Sequence, residues 1–164
     1  DSGKEGDQMI RVLFVCLGNI CRSPMAEAVF RHQAKEAGLE DKIEVDSAGT
    51  GGWHIGEPPH EGARRKLYEK GIGAEGMEGR QLTEADVKEF DYIIAMDAEN
   101  LGEVHRLEGY DQTAYTARLL DFVPESDVAD VPDPFYTENF DEVYDLIQEG
   151  CRRLLTFIRE RENL

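Results

Sequence analysis

The sequence predicts an α/β fold: a single domain with a central four-stranded parallel sheet and helices on both faces. Two apolar runs, residues 10–15 and 90–96, are too short for helices and rich in β-branched and aromatic side chains, as buried strands are. Stretches of helical periodicity lie between and after them, and strands that alternate with helices assemble into parallel sheets. The last third of the chain ends on a long amphipathic pattern, which supplies a covering helix.

The elements follow in order. After the first strand, a helical pattern from Ser23 turns Met25, Ala26, Val29, Phe30, Ala34 and Ala37 inward, with Pro24 in its first turn and Gly38 at its end. Residues 43–47 read as a second strand, followed by the turn Ala48-Gly49-Thr50-Gly51-Gly52. Pro58-Pro59 opens a helix that runs to about Lys70. Residues 90–96 form the third strand, and Asp97 caps a helix towards Arg106. Residues 118–122 are assigned to the fourth strand, and residues 124–136 to an acidic loop. In the final helix Phe140, Val143, Tyr144, Ile147, Cys151, Leu154, Leu155 and Ile158 make one stripe, opened by Asn139 and Glu142 in a capping-box-like pair.

Composition narrows the function classes. The 164 residues carry 35 acids against 18 Lys and Arg, a formal charge of −17, which argues against nucleic acid as a partner. No apolar run approaches the ~20 residues of a membrane span, and no basic-then-apolar leader precedes the fold, so neither membrane nor secretion is expected. Residues 1–8 read as a disordered tail or expression remnant, with Met9 as a plausible initiator; residues 9–164 read as the domain. Cys16, Cys21 and Cys151 fit no disulfide framework or zinc spacing, which favours a cytoplasmic location with free thiols. His32, His54, His60 and His105 show no metal-ligand spacing and are assigned surface or packing roles. Gly71-Ile72-Gly73-Ala74-Glu75-Gly76 matches a dinucleotide fingerprint, but it follows a helix where that motif requires a strand.

The informative stretch is Val15-Cys16-Leu17-Gly18-Asn19-Ile20-Cys21-Arg22-Ser23-Pro24. A loop between a strand and a helix amino end can point several N–H groups at one anion, and the helix end adds positive potential. Gly18 permits unusual backbone angles, and Asn19 tolerates a left-handed turn. Arg22 brings a planar fork that can grip two phosphate oxygens. The same surroundings favour a thiolate at Cys16, and Ser23 can donate to that sulfur. One set of groups therefore activates a nucleophile and binds its target: a phosphate-binding loop after the first strand.

This stretch resembles the signature of the low-molecular-weight protein tyrosine phosphatases. The likeness runs to about Ile158 and includes Asp46-Ser47-Ala48-Gly49-Thr50, Asp91-Tyr92-Ile93-Ile94-Ala95-Met96-Asp97 and Val131-Pro132-Asp133-Pro134-Phe135. The resemblance implies a metal-independent hydrolase without cofactor, acting on phosphotyrosine-containing proteins and releasing inorganic phosphate. In it Cys16 forms a phosphocysteine, and Arg22 with the amides of Leu17, Gly18, Asn19, Ile20, Cys21 and Ser23 holds the phosphoryl oxygens. Asp133 protonates the leaving oxygen, a phenolate of pKa about 10. Trp53 and Tyr136 wall the pocket, and Ser47 orients the loop. Cys21 is implied as a redox partner of Cys16, and the protein as a monomer or weak homo-oligomer. Where the family often has His-x-(Ala/Ser)-Arg, this chain reads Gly76-Met77-Glu78-Gly79-Arg80, so no His–Ser network is expected behind the loop.

Other readings make different demands. Arsenate reduction on this fold needs two further cysteines in mid-chain, and none lies between Cys21 and Cys151. A phosphocysteine carrier or phosphopeptide binder would not need Asp133. A protein arginine phosphatase of the same family tends to carry Thr where this loop has Ile20.

Overall fold

The structure, a computed structural model, describes residues 9–164; the expected tail at 1–8 lies outside the described residues. The elements are β1 (Ile10–Cys16), α1 (Arg22–Glu36), β2 (Ile43–Gly49), α2 (Glu61–Glu69), α3 (Glu84–Glu89), β3 (Tyr92–Ala95), α4 (Ala98–Glu108), β4 (Tyr115–Arg118), α5 (Pro134–Thr137) and α6 (Phe140–Glu162). The sheet is parallel throughout, in the order β2-β1-β3-β4.

Alternation along β1 sorts the core. Val12, Phe14 and Cys16 face one side with residues of α1, α2 and α6; Leu13 and Val15 face the other with Val87, Ile93 and Val104. Both faces are covered, so the strand is apolar throughout, as buried parallel strands are. Ile147, Leu154 and Ile158 of α6 are fully buried, each contributing about 1.5–3 kcal/mol. Phe14 meets Phe30 of α1 edge to face, with ring centroids 5.5 Å apart.

The four-stranded sheet, the helices on both faces and the Asn139 cap of α6 follow the sequence reading. Four assignments are corrected. The fourth strand lies one turn earlier than expected: Leu119–Phe122 is a 3-10 turn, because the Asp121 carboxylate accepts from the Arg118 backbone N–H at 2.8 Å and curls the chain. β2 runs on to Gly49, since Ala48 and Gly49 pair with Val15 and Cys16. The helix after Pro58-Pro59 starts only at Glu61, where the His60 ring accepts from Gly62 N–H. Phe90 ends the short helix α3, held by a capping box of Thr83 and Asp86, before β3 begins at Tyr92.

Candidate active site

In the order β2-β1-β3-β4 the chain leaves β1 to one side for β2 and returns to the other for β3. That reversal opens a crevice at the carboxyl end of β1, the place where open α/β sheets bind ligands. Cys16 is the last residue of β1 and Arg22 the first of α1, so residues 17–21 cross the crevice. Among the described residues no side chain caps α1, which leaves its first amides for an anion.

The loop takes its shape from Asn19, whose φ of 59° is left-handed. Gly18 was expected to supply the unusual backbone angle and does not. A side chain there would crowd His54, since a Cβ would sit 3.2 Å from Cδ2 of that ring. Backbone bonds tie the loop to the segment after β2: Thr50 N–H donates to Cys16 O, Gly51 N–H to Leu17 O, both at 2.9 Å, and His60 N–H to Ile20 O at 2.7 Å.

Cys16 Sγ accepts from Asn19 N–H at 3.2 Å and lies 2.9 Å from Ser23 Oγ. Behind it Asn19 Nδ2 donates to Ser23 Oγ at 2.8 Å and to Ser47 Oγ at 3.0 Å, while Asn19 Oδ1 accepts from Arg80 N–H at 2.9 Å. Arg80 is itself clamped by Asp46 and Asp86. A polar network thus stands behind the loop without histidine. Asn19, Ser23 and Ser47 support the loop from behind rather than lining the crevice.

Arg22 is almost wholly buried. Its Nη1 donates to Asp97 Oδ2 at 2.7 Å and to Val131 O at 2.9 Å, and its Nη2 lies 3.5 Å from Asp133 Oδ2. Burial opposes the charge, but Cys16, the Asp97 hydrogen bond and Asp133 outweigh it and raise the pKa further. Asp133 Oδ1 caps the one-turn helix α5 by accepting from Phe135 N–H at 3.0 Å, which leaves Oδ2 facing the arginine. Val131 N–H donates to Met96 O, which anchors this segment at the end of β3.

A cavity of about 240 Å³ is lined by Cys16, Leu17, Gly18, Ile20, Cys21, Arg22, Trp53, His54, Asp133, Phe135 and Tyr136. Every expected loop and wall residue other than the three supporting ones therefore meets at one place. His54 and Phe135 complete the wall, with ring centroids 6.2 Å apart; the sequence reading had placed His54 among surface or packing residues. Asp97, read only as a helix cap, does cap α4 through Oδ1 and holds Arg22 through Oδ2. Its position directly after a buried strand that ends at the same edge as β1 was the available signal.

The three cysteines are free thiols. Burial pushes the Cys21 thiol up to about 12, helped by Asp133 and Cys16 and opposed by Arg22. Burial also raises Cys151, in the core stripe of α6.

A cysteine at a parallel-strand end, a buried arginine and an aspartate across one small cavity define the cysteine-dependent phosphatase class. The family model for low molecular weight phosphotyrosine protein phosphatase matches residues 11–164. The chain belongs to that family. It is 59% identical over 156 residues to the low molecular weight protein-tyrosine-phosphatase YfkJ of Bacillus subtilis, covering 95% of this chain and 100% of the relative. The crystal structure of YfkJ superimposes with a TM-score of 0.91 over 94% of this chain and 97% of that one. PtpA of Staphylococcus epidermidis is 46% identical over 95% of this chain and 98% of its own length. A Drosophila arginine phosphatase shares the fold at TM-score 0.86 and 33% identity, over 92% of this chain and 98% of its own.

Proposed function

We propose that the protein hydrolyses phosphotyrosine in proteins by a two-step displacement at Cys16. The Cys16 thiolate attacks phosphorus as the bond to the tyrosyl oxygen breaks, and Asp133 gives that oxygen its proton. Water then attacks the phosphocysteine, Asp133 takes a proton back, and inorganic phosphate leaves with the thiolate restored. Arg22 and the loop amides carry the negative charge of both transition states, so the chemistry needs no metal. The observation that carries this reading is the placement of Cys16 Sγ under the Asn19 amide and Ser23 hydroxyl, in one cavity with Arg22 and Asp133.

Trp53, Phe135 and Tyr136 supply stacking surface for an aryl ring, and Ile20 adds an aliphatic contact, which favours phosphotyrosine. The fold shared with a Drosophila arginine phosphatase keeps phosphoarginine as the second reading. Residues 9–164 act as one domain, in the cytoplasm, as a monomer or weak homo-oligomer. Among the described residues no helix is long and apolar enough to cross a membrane. The deciding experiment is aryl phosphate hydrolysis from pH 5 to 8 with chelator, comparing parent, Cys16→Ser and Asp133→Asn. Turnover that survives chelation, vanishes in the serine variant and falls steeply in the asparagine variant supports the mechanism. A parent that binds phosphate without turning over would make the protein a binder or carrier.

A further inference from the structure

Glu27 lies on α1 outside the cavity, yet its side chain is buried. Its Oε1 accepts from Ser47 Oγ at 2.6 Å, and its other oxygen is held by Arg31, which also donates to Val45 O at 2.8 Å. A carboxylate can only accept, so Ser47 spends its one proton on Glu27. Ser47 Oγ must then accept from Asn19 Nδ2. The orientation of the Asn19 amide is set independently, because Oδ1 takes the Arg80 N–H. The second Nδ2 proton goes to Ser23 Oγ, which leaves the Ser23 proton to point at Cys16 Sγ, 2.9 Å away.

We propose that Glu27 is a positioning residue: as terminal acceptor it takes the Ser47 proton, so that Ser47 can only accept from Asn19 and, together with the Arg80 contact on Asn19 Oδ1, the chain Ser47–Asn19–Ser23 runs one way and Ser23 donates to the Cys16 thiolate. This rests on Cys16 being the nucleophile. With Ser47 free to reverse, the orientation of the chain would rest on the Arg80 contact alone. Arg31 offsets the carboxylate's own charge, which would otherwise work against a nearby thiolate. Met77, at the position where the family often has histidine, borders the same surface cavity as Glu27 and Arg31, and its thioether is too weak an acceptor to replace the carboxylate.

The test reads Cys16 directly, by its rate of alkylation with iodoacetamide against pH, located by mass spectrometry. In Glu27→Met, similar in size but without the acceptor, the profile should move up by about one pH unit. Its kcat/KM for an aryl phosphate at pH 6 should fall about tenfold. Glu27→Gln, which keeps an acceptor oxygen, should stay within about threefold of the parent. Ser47→Ala should reproduce the Glu27→Met profile, and the double variant should add nothing further. If Glu27→Met does not fold, Ser47→Ala carries the test alone. A Glu27→Met or Ser47→Ala profile that overlays the parent, with or without lost activity, overturns the proposal. So does Glu27→Gln shifting as far as Glu27→Met. Turnover retained by Cys16→Ser would instead remove the mechanism without altering these alkylation profiles.

Discussion

Nη1 of Arg22 donates to Oδ2 of Asp97 across 2.7 Å, joining the first residue of α1 to the cap of α4. Two helix amino ends thereby converge on one carboxylate, and a buried cation keeps a partner when no phosphate is present. Replacing Asp97 with Asn preserves a good cap and an acceptor but removes the charge. Asp97→Asn should lower stability by about 1–3 kcal/mol, since Arg22 is left buried beside a neutral group. Saturating phosphate should narrow the gap, because the anion supplies the missing charge. Thermal melts with and without phosphate measure both; a gap unchanged by phosphate would mean that Arg22 does not meet the anion.

Asp133 is held by a single cap bond and the neighbouring arginine. Asp133→Asn should lower kcat/KM on phenyl phosphate, which reports the first displacement, about 100-fold. The loss should shrink as the leaving phenol becomes more acidic, because a better leaving group needs less protonation. Steady-state rates over a series of substituted phenyl phosphates test this, and a loss uniform across the series would remove Asp133 as the acid.

Burial gives Cys21 a pH signature. Folding raises its pKa from 9.0 to about 12, through burial first and then Asp133 and Cys16. Below 9.0 both folded and unfolded chains keep the proton, so this thiol adds nothing to the slope. From 9.0 towards 12 the unfolded chain loses the proton first, and stability falls as pH rises, by at most about 1.4 kcal/mol per pH unit. Cys21→Ala should flatten the decline in urea unfolding across that window by close to one proton. An unchanged slope would contradict the shift.

Gly79 lets the pocket wall sit close. A Cβ there would stand 2.3 Å from the carbonyl oxygen of His54. Gly79→Ala should cost about 1–3 kcal/mol of stability and raise KM for aryl phosphates by displacing Trp53 and His54. Alkylation of Cys16 should slow as well, because the span that carries Trp53 and His54 is bonded to the Cys16 and Leu17 carbonyls; a raised KM with unchanged alkylation would mean that the wall moves independently of the loop.

The choice between phosphotyrosine and phosphoarginine can be tested at Ile20, which lines the cavity. Ile20→Thr should raise the phosphoarginine rate relative to the phosphotyrosine rate, read as the ratio of the two kcat/KM values. A constant ratio would leave Ile20 with no part in the choice.

Legibility in the sequence followed distance along the chain. β1, its loop and α6 declare themselves because periodicity, spacing and caps are local, and the residues of the phosphate loop all lie within the eight positions Cys16–Ser23. β4 was displaced because its residues Tyr115 and Thr116 are half-buried, whereas the apolar pair that looks like a strand, Leu119-Leu120, is buried in a 3-10 turn. His54 was missed because its neighbours Gly18 and Phe135 come from segments remote in sequence. Glu27 could not be found by pattern: a glutamate in a helix reads as solvent-facing, and only the packing of α1 against β2 brings it to Ser47.

The stitching of Thr50, Gly51 and His60 to the carbonyls of Cys16, Leu17 and Ile20 makes the two sides of the pocket unequal partners in diversification. The span bearing Trp53 and His54 shares its foundations with the Cys16 loop, so a graft that alters recognition there also disturbs the setting of that thiol. The opposite side, Phe135 and Tyr136 on the single turn of α5, is largely exposed and makes no such bonds among the described residues. New substrate preferences can be explored on that side by point substitution, with the cysteine chemistry inherited intact.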